Sequence, residues 1–452
     1  MSVHALSQGF LGTIGRTEPV HLNSFLDRAF HVVQCRTSNL ARLFPYVRDW
    51  SGRESWNFGL YGAASEPEPA LADLKAIAEA AERYSSAVLD EGEYIVASAD
   101  ELGEAAFDWR TLPRLSAAEL AAPGQLLHNF EPAEAIRWVQ SVRLSDQAIR
   151  LIPTVVTHLY PRAWSSERFW NPISTGVAVH VDRTRAAVSG MLEVIERDAL
   201  SLNWLTCRPL PRIHLDALTL DQLSPAVAEV LSAGDIALYQ GTTDLGVPVV
   251  YARRHRPRHP RVVNVVGCAA DFRYARAVDK AVSELVMIGA ALEMSSHRPP
   301  EELSEFQSLL DGAVHMMHPA RAPAFGFLDR GGDVDALRLF ELDASAPESP
   351  EAGFAYLHAL LGAHGKDAYL AELTPDELRD CELVSVRAFI PGLMPMSFMH
   401  RSRFLGSRRL AAFARCLGLR GAQSDWLNPA PHPFASGRHV RRPFPPPARP
   451  PP

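Results

Sequence analysis

Nowhere in this chain does an apolar run approach the roughly 18 residues that a membrane-crossing helix needs. Positive charge is not in excess either. Forty-five Lys and Arg stand against 52 Asp and Glu, for a net charge of −7, which argues against a bulk nucleic-acid binder. Cysteine is scarce: Cys35, Cys207, Cys268, Cys381 and Cys416 are scattered, and no two form a C-x-x-C pair. That excludes the ligand spacing of a structural zinc site and fits reduced thiols packed as small hydrophobes in a cytoplasmic protein. Met1–Gly12 has no basic stretch followed by a long apolar one, so no secretory signal is expected. What remains, 452 residues with 47% apolar and 21% charged, is ordinary globular composition. It suffices for two or three domains, or for one large enzyme domain with a tail.

Against that background one signature occurs twice, 114 positions apart: Glu79-x-x-Glu82-Arg83 and Glu193-x-x-Glu196-Arg197. On a helix, positions i, i+3 and i+4 share a face, so each copy projects two carboxylates beside a guanidinium. Two such faces turned toward each other would crowd four acids into a small volume. Crowding of that kind calls for a cation such as Mg²⁺.

Hydrophobic spacing predicts an amphipathic helix over 69–90, with Ser65-x-x-Glu68 and Pro67 at its start, and a second over 183–205. Further helices are expected at 274–293, 303–310 and 353–363. Strands are expected at 94–97, 151–160, 177–179, 247–252, 262–270 and 385–390. The segment Asn171–Gly176, with Ser174 and Thr175, reads as a turn of small hydroxyls suited to a polyanion. Between the strands at 247–252 and 262–270 lies a basic stretch (Arg253, Arg254, His255, Arg256, Arg258, His259, Arg261), expected to be a solvated hairpin tip or a surface for an acidic partner. Pro257 argues against a helix there, and so against a metal site at His255 and His259. The proline-dominated end, Pro443–Pro452, should be extended and polyproline-like.

Ser189-Gly-Met-Leu-Glu193-Val-Ile-Glu196-Arg197 resembles the central S-x-x-x-E-x-x-E-R signature of YcaO-domain proteins. The stretch Lys75 to Ser85 is similar to that family's upstream acidic helix, and Ala277–Glu284 stands in the place of its third motif. Leu373 to Leu393 and the proline-rich end are family-like too, so the resemblance runs from about residue 55 to 452. It implies an α+β fold of mixed sheets and helices. The expected organisation is an N-terminal segment 1–55, a catalytic domain 56–425 and a tail 426–452.

The activity implied is ATP- and Mg²⁺-dependent cyclodehydration of Cys, Ser or Thr in a precursor peptide. The amide oxygen is phosphorylated and leaves as phosphate, giving a thiazoline or oxazoline. The same resemblance allows thioamide or amidine formation instead. It places Glu79, Glu82, Glu193, Glu196 and Glu284 at the metal. Lys75, Arg83, Ser174, Thr175, Ser189, Arg197 and Lys280 fall at the nucleotide, and Glu196, Arg197 and the terminal Pro452 at the reaction. A homodimer, a separate leader-binding partner and a flavin-dependent azoline dehydrogenase are the implied company. Two departures stand out: Lys280 replaces an arginine, and Met287 or Ile288 stands where a glutamine is expected. They keep open a catalytically degenerate scaffold within a modification complex.

Overall fold

The computed structural model describes residues 6–7, 13–22, 27–38, 40, 44, 61–159 and 164–434. Pro452 and the proline run before it lie outside the described residues, as does Tyr160. Three sheets carry the fold. The first is β1 (Glu18–Pro19), β2 (His31–Arg36) and β3 (Tyr61–Glu66), all antiparallel, so two N-terminal strands share a sheet with the strand at 61–66. The second joins β4 (Ile95–Ala97), β5 (Ile136–Arg143), β13 (Tyr369–Glu372), β14 (Val384–Phe389) and β7 (Val177–His180) in that order, with β6 (Ile149–Pro153) also on β5. The third runs β11 (Asn264–Ala270), β10 (Val249–His255), β9 (Ile236–Gln240), β8 (Arg212–His214) and β12 (Asp333–Asp335). Mixed sheets covered by helices make this an α+β protein.

Three long helices matter for the site: α1 (Pro69–Ser85), α2 (Arg183–Leu205) and α3 (Tyr274–Met294). The first starts at Pro69, whose missing N–H costs nothing at that position. Ser65-x-x-Glu68 is therefore not a capping box; Ser65 belongs to β3, and Glu68 caps without a side-chain bond. Alanines at 72, 76, 80 and 81 are fully buried and let α1 lie close on its sheet. Asp182 caps α2 by accepting from the Arg185 N–H.

Other expectations need correcting. The strand predicted over 151–160 ends at Pro153 and passes into a helical turn, Thr154–Thr157. Leu303–Leu310 is one short turn, Leu303–Glu305, followed by a helix over Leu309–Met316. The basic stretch is a solvated hairpin tip only in part: Arg258 and Arg261 are exposed at the turn between β10 and β11, whereas Arg253 and Arg254 are buried in β10. Arg254 donates two hydrogen bonds to Asp27, 2.9 and 2.6 Å, and one to Asp235, while Arg256 pairs with Asp235. The charges tie the N-terminal segment to the third sheet, with buried partners satisfying one another.

Candidate active site

Each long helix lies on the free edge of one sheet, and β3, β7 and β11 are all edge strands. Helix α1 packs on β3 and β7, α2 on β7 and β11, and α3 on β11 and β3. The three helix–strand units thus close a ring. Carboxylates bind the edge N–H groups that no strand pairs. Glu79 accepts from Ala63 N–H at 2.8 Å, Glu193 from Gly176 N–H at 2.9 Å and Glu284 from Cys268 N–H at 3.1 Å, each within its own unit. The second carboxylate of each signature reaches the next unit: Glu82 to Val179 N–H at 3.4 Å and Glu196 to Ala270 N–H at 2.8 Å. The edges are therefore capped by acids rather than left open to strand addition.

This is a repeat of three, not two. Gly62 and Gly267 hold equivalent places on their strands and Gly176 stands just before β7, each 17 residues ahead of Glu79, Glu284 and Glu193 respectively. The rim positions are Lys75, Ser189 and Lys280, all exposed. Lys75 pairs with Glu66 and Lys280 with Asp271, each an acid at the end of its own strand. The helix over 274–293 and its Glu284 were expected, but its equivalence to the other two was not, because Met287-Ile288 stands where they carry Glu-Arg. The spacing Lys-x-x-x-Glu, common to 75–79 and 280–284, was the signal available.

The two arginines are buried inside the ring. Arg83 donates to Glu79 at 2.9 Å and lies 4.0 Å from Glu82. Arg197 sits among Glu196 at 3.1 Å, Glu193 at 3.5 Å and Glu284 at 3.8 Å. The Nε and Nη1 of both arginines make no hydrogen bond. Phe434, fully buried, covers the Arg197 guanidinium with its ring centroid 4.3 Å away. Sequence reasoning missed Phe434, Asp271, Glu66 and Asn171. The side-chain polar atoms of buried Asn171 and Ser174 also lack partners, beside Thr175 and the Gly176 N–H that binds Glu193.

Burial raises the Glu196 carboxyl, with Arg197 opposing it and Glu193 adding to it. Burial likewise pushes Glu284 up to about 8, against the pull of Arg197. Burial works against charge on Arg197 too, but Glu196, Glu284 and Glu193 more than offset it. Among the described residues no three acids, histidines or cysteines stand together as a ready-made metal cage. Five carboxylates nevertheless share two arginines, and two of the five resist ionising. That donor set fits Mg²⁺, which takes a few carboxylates and leaves its other positions to water and phosphate. The guanidinium nitrogens that make no hydrogen bond, the Nε of each arginine above all, fit phosphate oxygens.

A pH effect follows with a definite sign. Unfolded Glu284 releases its proton near 4.5, whereas the folded protein holds it to about 8. The metal-free fold therefore loses stability as pH rises through that window. The Glu284→Gln protein should melt progressively higher than wild type from pH 5 to pH 8, with little gap at the low end. Thermal melts in chelator check this, and a gap independent of pH would contradict it.

Residues 65–394 match the family model described as YcaO cyclodehydratase, ATP- and Mg²⁺-binding. No curated protein sequence matches the chain. Among solved structures, a heterocyclase in complex with substrate and cofactor is similar over 96% of this chain and 57% of its own, at 18% identity and TM-score 0.72. The chain thus spans little more than half of that protein. YcaO from Methanopyrus kandleri, bound with AMPPCP and Mg²⁺, matches over 84% of this chain and 86% of its own (16% identity, TM-score 0.58). A chain of the E. coli microcin synthetase McbBCD complex matches over 85% and 90% (14% identity, TM-score 0.56). No described helix is long and apolar enough to cross a membrane.

Proposed function

This chain belongs to the YcaO family, and from that premise we propose that it cyclodehydrates Cys, Ser or Thr residues of a ribosomally made precursor peptide to thiazoline or oxazoline, using Mg-ATP. One observation supports this above the others. Two Glu-x-x-Glu-Arg corners, each with a buried guanidinium short of partners, face one ring.

The residues would divide the work by charge. Glu79, Glu82, Glu193, Glu196 and Glu284 hold Mg²⁺. Arg83 and Arg197 direct their N–H groups, the Nε–H above all, at phosphate oxygens and offset charge developing there. Lys75 and Lys280 stand at the rim, where each can exchange its carboxylate for an entering anion. Ser189 stands on the same rim, and the Ser174–Thr175 turn borders Glu193. ATP supplies the phosphoryl group that turns an amide oxygen into a leaving group; the attacking side chain belongs to the peptide. Pro452 is assigned to the same site by the family resemblance, and Phe434, which precedes it in the chain, lies over Arg197. A leader-binding partner, a homodimeric state and an azoline dehydrogenase complete the proposal.

A scaffold without turnover is the second reading, favoured by Met287-Ile288 at the third corner. Incubation with precursor, partner and Mg-ATP decides between them. Loss of water from the peptide by mass spectrometry is expected; an intact complex showing neither mass loss nor ATP turnover would leave only the scaffold.

A further inference from the structure

At two corners of the ring the edge N–H of one strand is taken by the second carboxylate of the preceding helix, Val179 by Glu82 and Ala270 by Glu196. Ser65 is the equivalent residue of β3, and Met287 of α3 is the equivalent of Glu82 and Glu196. Alternation fixes the direction of the Ser65 N–H. The Ala63 N–H leaves the free edge of β3 to reach Glu79, and the N–H two residues on points the same way. In β11 the matching pair, Cys268 and Ala270, are both bound by carboxylates. At β3 only the first of the two is, because a thioether is a poor acceptor. The Ser65 hydroxyl has no hydrogen-bond partner either, although the residue is only 5% exposed. A buried residue left in that condition is costly unless something accepts from it.

We propose that Ser65, beside Met287, is an oxygen-binding subsite. Its N–H and hydroxyl receive an acceptor oxygen of the ligand in the place that a protein carboxylate fills at the other two corners. The shared chemistry is an oxygen carrying partial or full negative charge, from a nucleotide phosphate or from a peptide carbonyl. Methionine suits such a place: it excludes water without competing for the donors, whereas a glutamate there would bind them itself and repel an anion. The threefold ring is therefore loaded unequally. Two corners hold charge supplied by the protein, and the third accepts it from the substrate. This inference rests on the nucleotide-site reading above, and the experiment separates the two.

Calorimetry on the full chain uses two probes, Mg-AMPPCP and, with Mg-AMPPCP present, acetyl-Gly-Cys-amide as a minimal carbonyl ligand. Met287→Glu should weaken at least one probe about tenfold or more, the loss of a hydrogen bond to a charged or strongly polar group. Met287→Leu should bind as wild type does. Ser65→Ala, which keeps the N–H, should weaken the same probe about threefold to tenfold and serves alone if the glutamate variant does not fold. Loss with Mg-AMPPCP identifies a phosphate oxygen, and loss only with the peptide amide identifies a carbonyl. Both probes binding folded Met287→Glu and Ser65→Ala as tightly as wild type overturns the subsite alone. Wild-type protein that binds no Mg-AMPPCP overturns the nucleotide site itself, before any variant is compared.

Discussion

Glu196→Gln should lower ATP-dependent turnover by about 100-fold or more while leaving the chain folded, an effect of the size seen when one preorganised electrostatic group is lost. Glu196 is placed to matter more than its neighbours. One oxygen accepts from Ala270 N–H, the other lies 3.1 Å from Arg197, and the side chain is nearly buried. It thereby joins α2 to β11 and sets the arginine at the same time. Glutamine keeps the shape and can still accept from the N–H, but it brings no charge to a metal or to Arg197. Stability should hold or rise, because burial already disfavours the ionised form. ATP turnover, peptide mass loss and a thermal melt on one preparation test the claim. Wild-type turnover in a folded Glu196→Gln protein would remove Glu196 from the metal set.

Much of the fold was legible where local signals agreed. The helix over 183–205 has a capping Asp182, a continuous apolar stripe and no proline, and the structure keeps both bounds. The strands around 250 and 265 are runs of β-branched residues and pair as expected. What failed were inferences about partners distant in sequence. Arginine runs are usually solvated, and nothing near Arg254 announces that Asp27 will meet it 227 positions away. At Thr154 the β-propensity of Thr-Val-Val-Thr argues for a strand, yet tertiary packing makes it a helical turn. The site was half legible. Charge alone marked both Glu-x-x-Glu-Arg copies as faces that would crowd acids together, and the structure brings both to one ring. Their common geometry could not, since it depends on edge N–H groups and on glycines whose role is steric. Phe434 over Arg197 had no local signal at all.

Those glycines carry the largest expected effect on stability. A Cβ built on Gly62 would lie 2.0 Å from the carbonyl oxygen of Ala76 and 2.4 Å from the nitrogen of Ala80. On Gly267 it would lie 2.3 Å from Ala281 O and 2.8 Å from Leu285 N. Both obstacles are helix backbone, which cannot move aside as a side chain can, so the whole helix must lift. Gly62→Val and Gly267→Val should each cost about 3 kcal/mol or more, at or beyond the upper end for overpacking a core. Gly362→Ala, on a helix with nothing within 4 Å of the new Cβ, should be neutral or stabilise by up to about 1 kcal/mol. Denaturant melts on the three proteins give the comparison. Lifting α3 by even a fraction of a hydrogen-bond length would part Glu284 from Cys268 N–H and from Arg197. Gly267→Val should therefore weaken Mg-AMPPCP binding at temperatures where the chain is still folded. Equal stability of Gly267→Val and Gly362→Ala would mean that helix and strand do not pack at this distance, and the three-cornered ring would lose its basis.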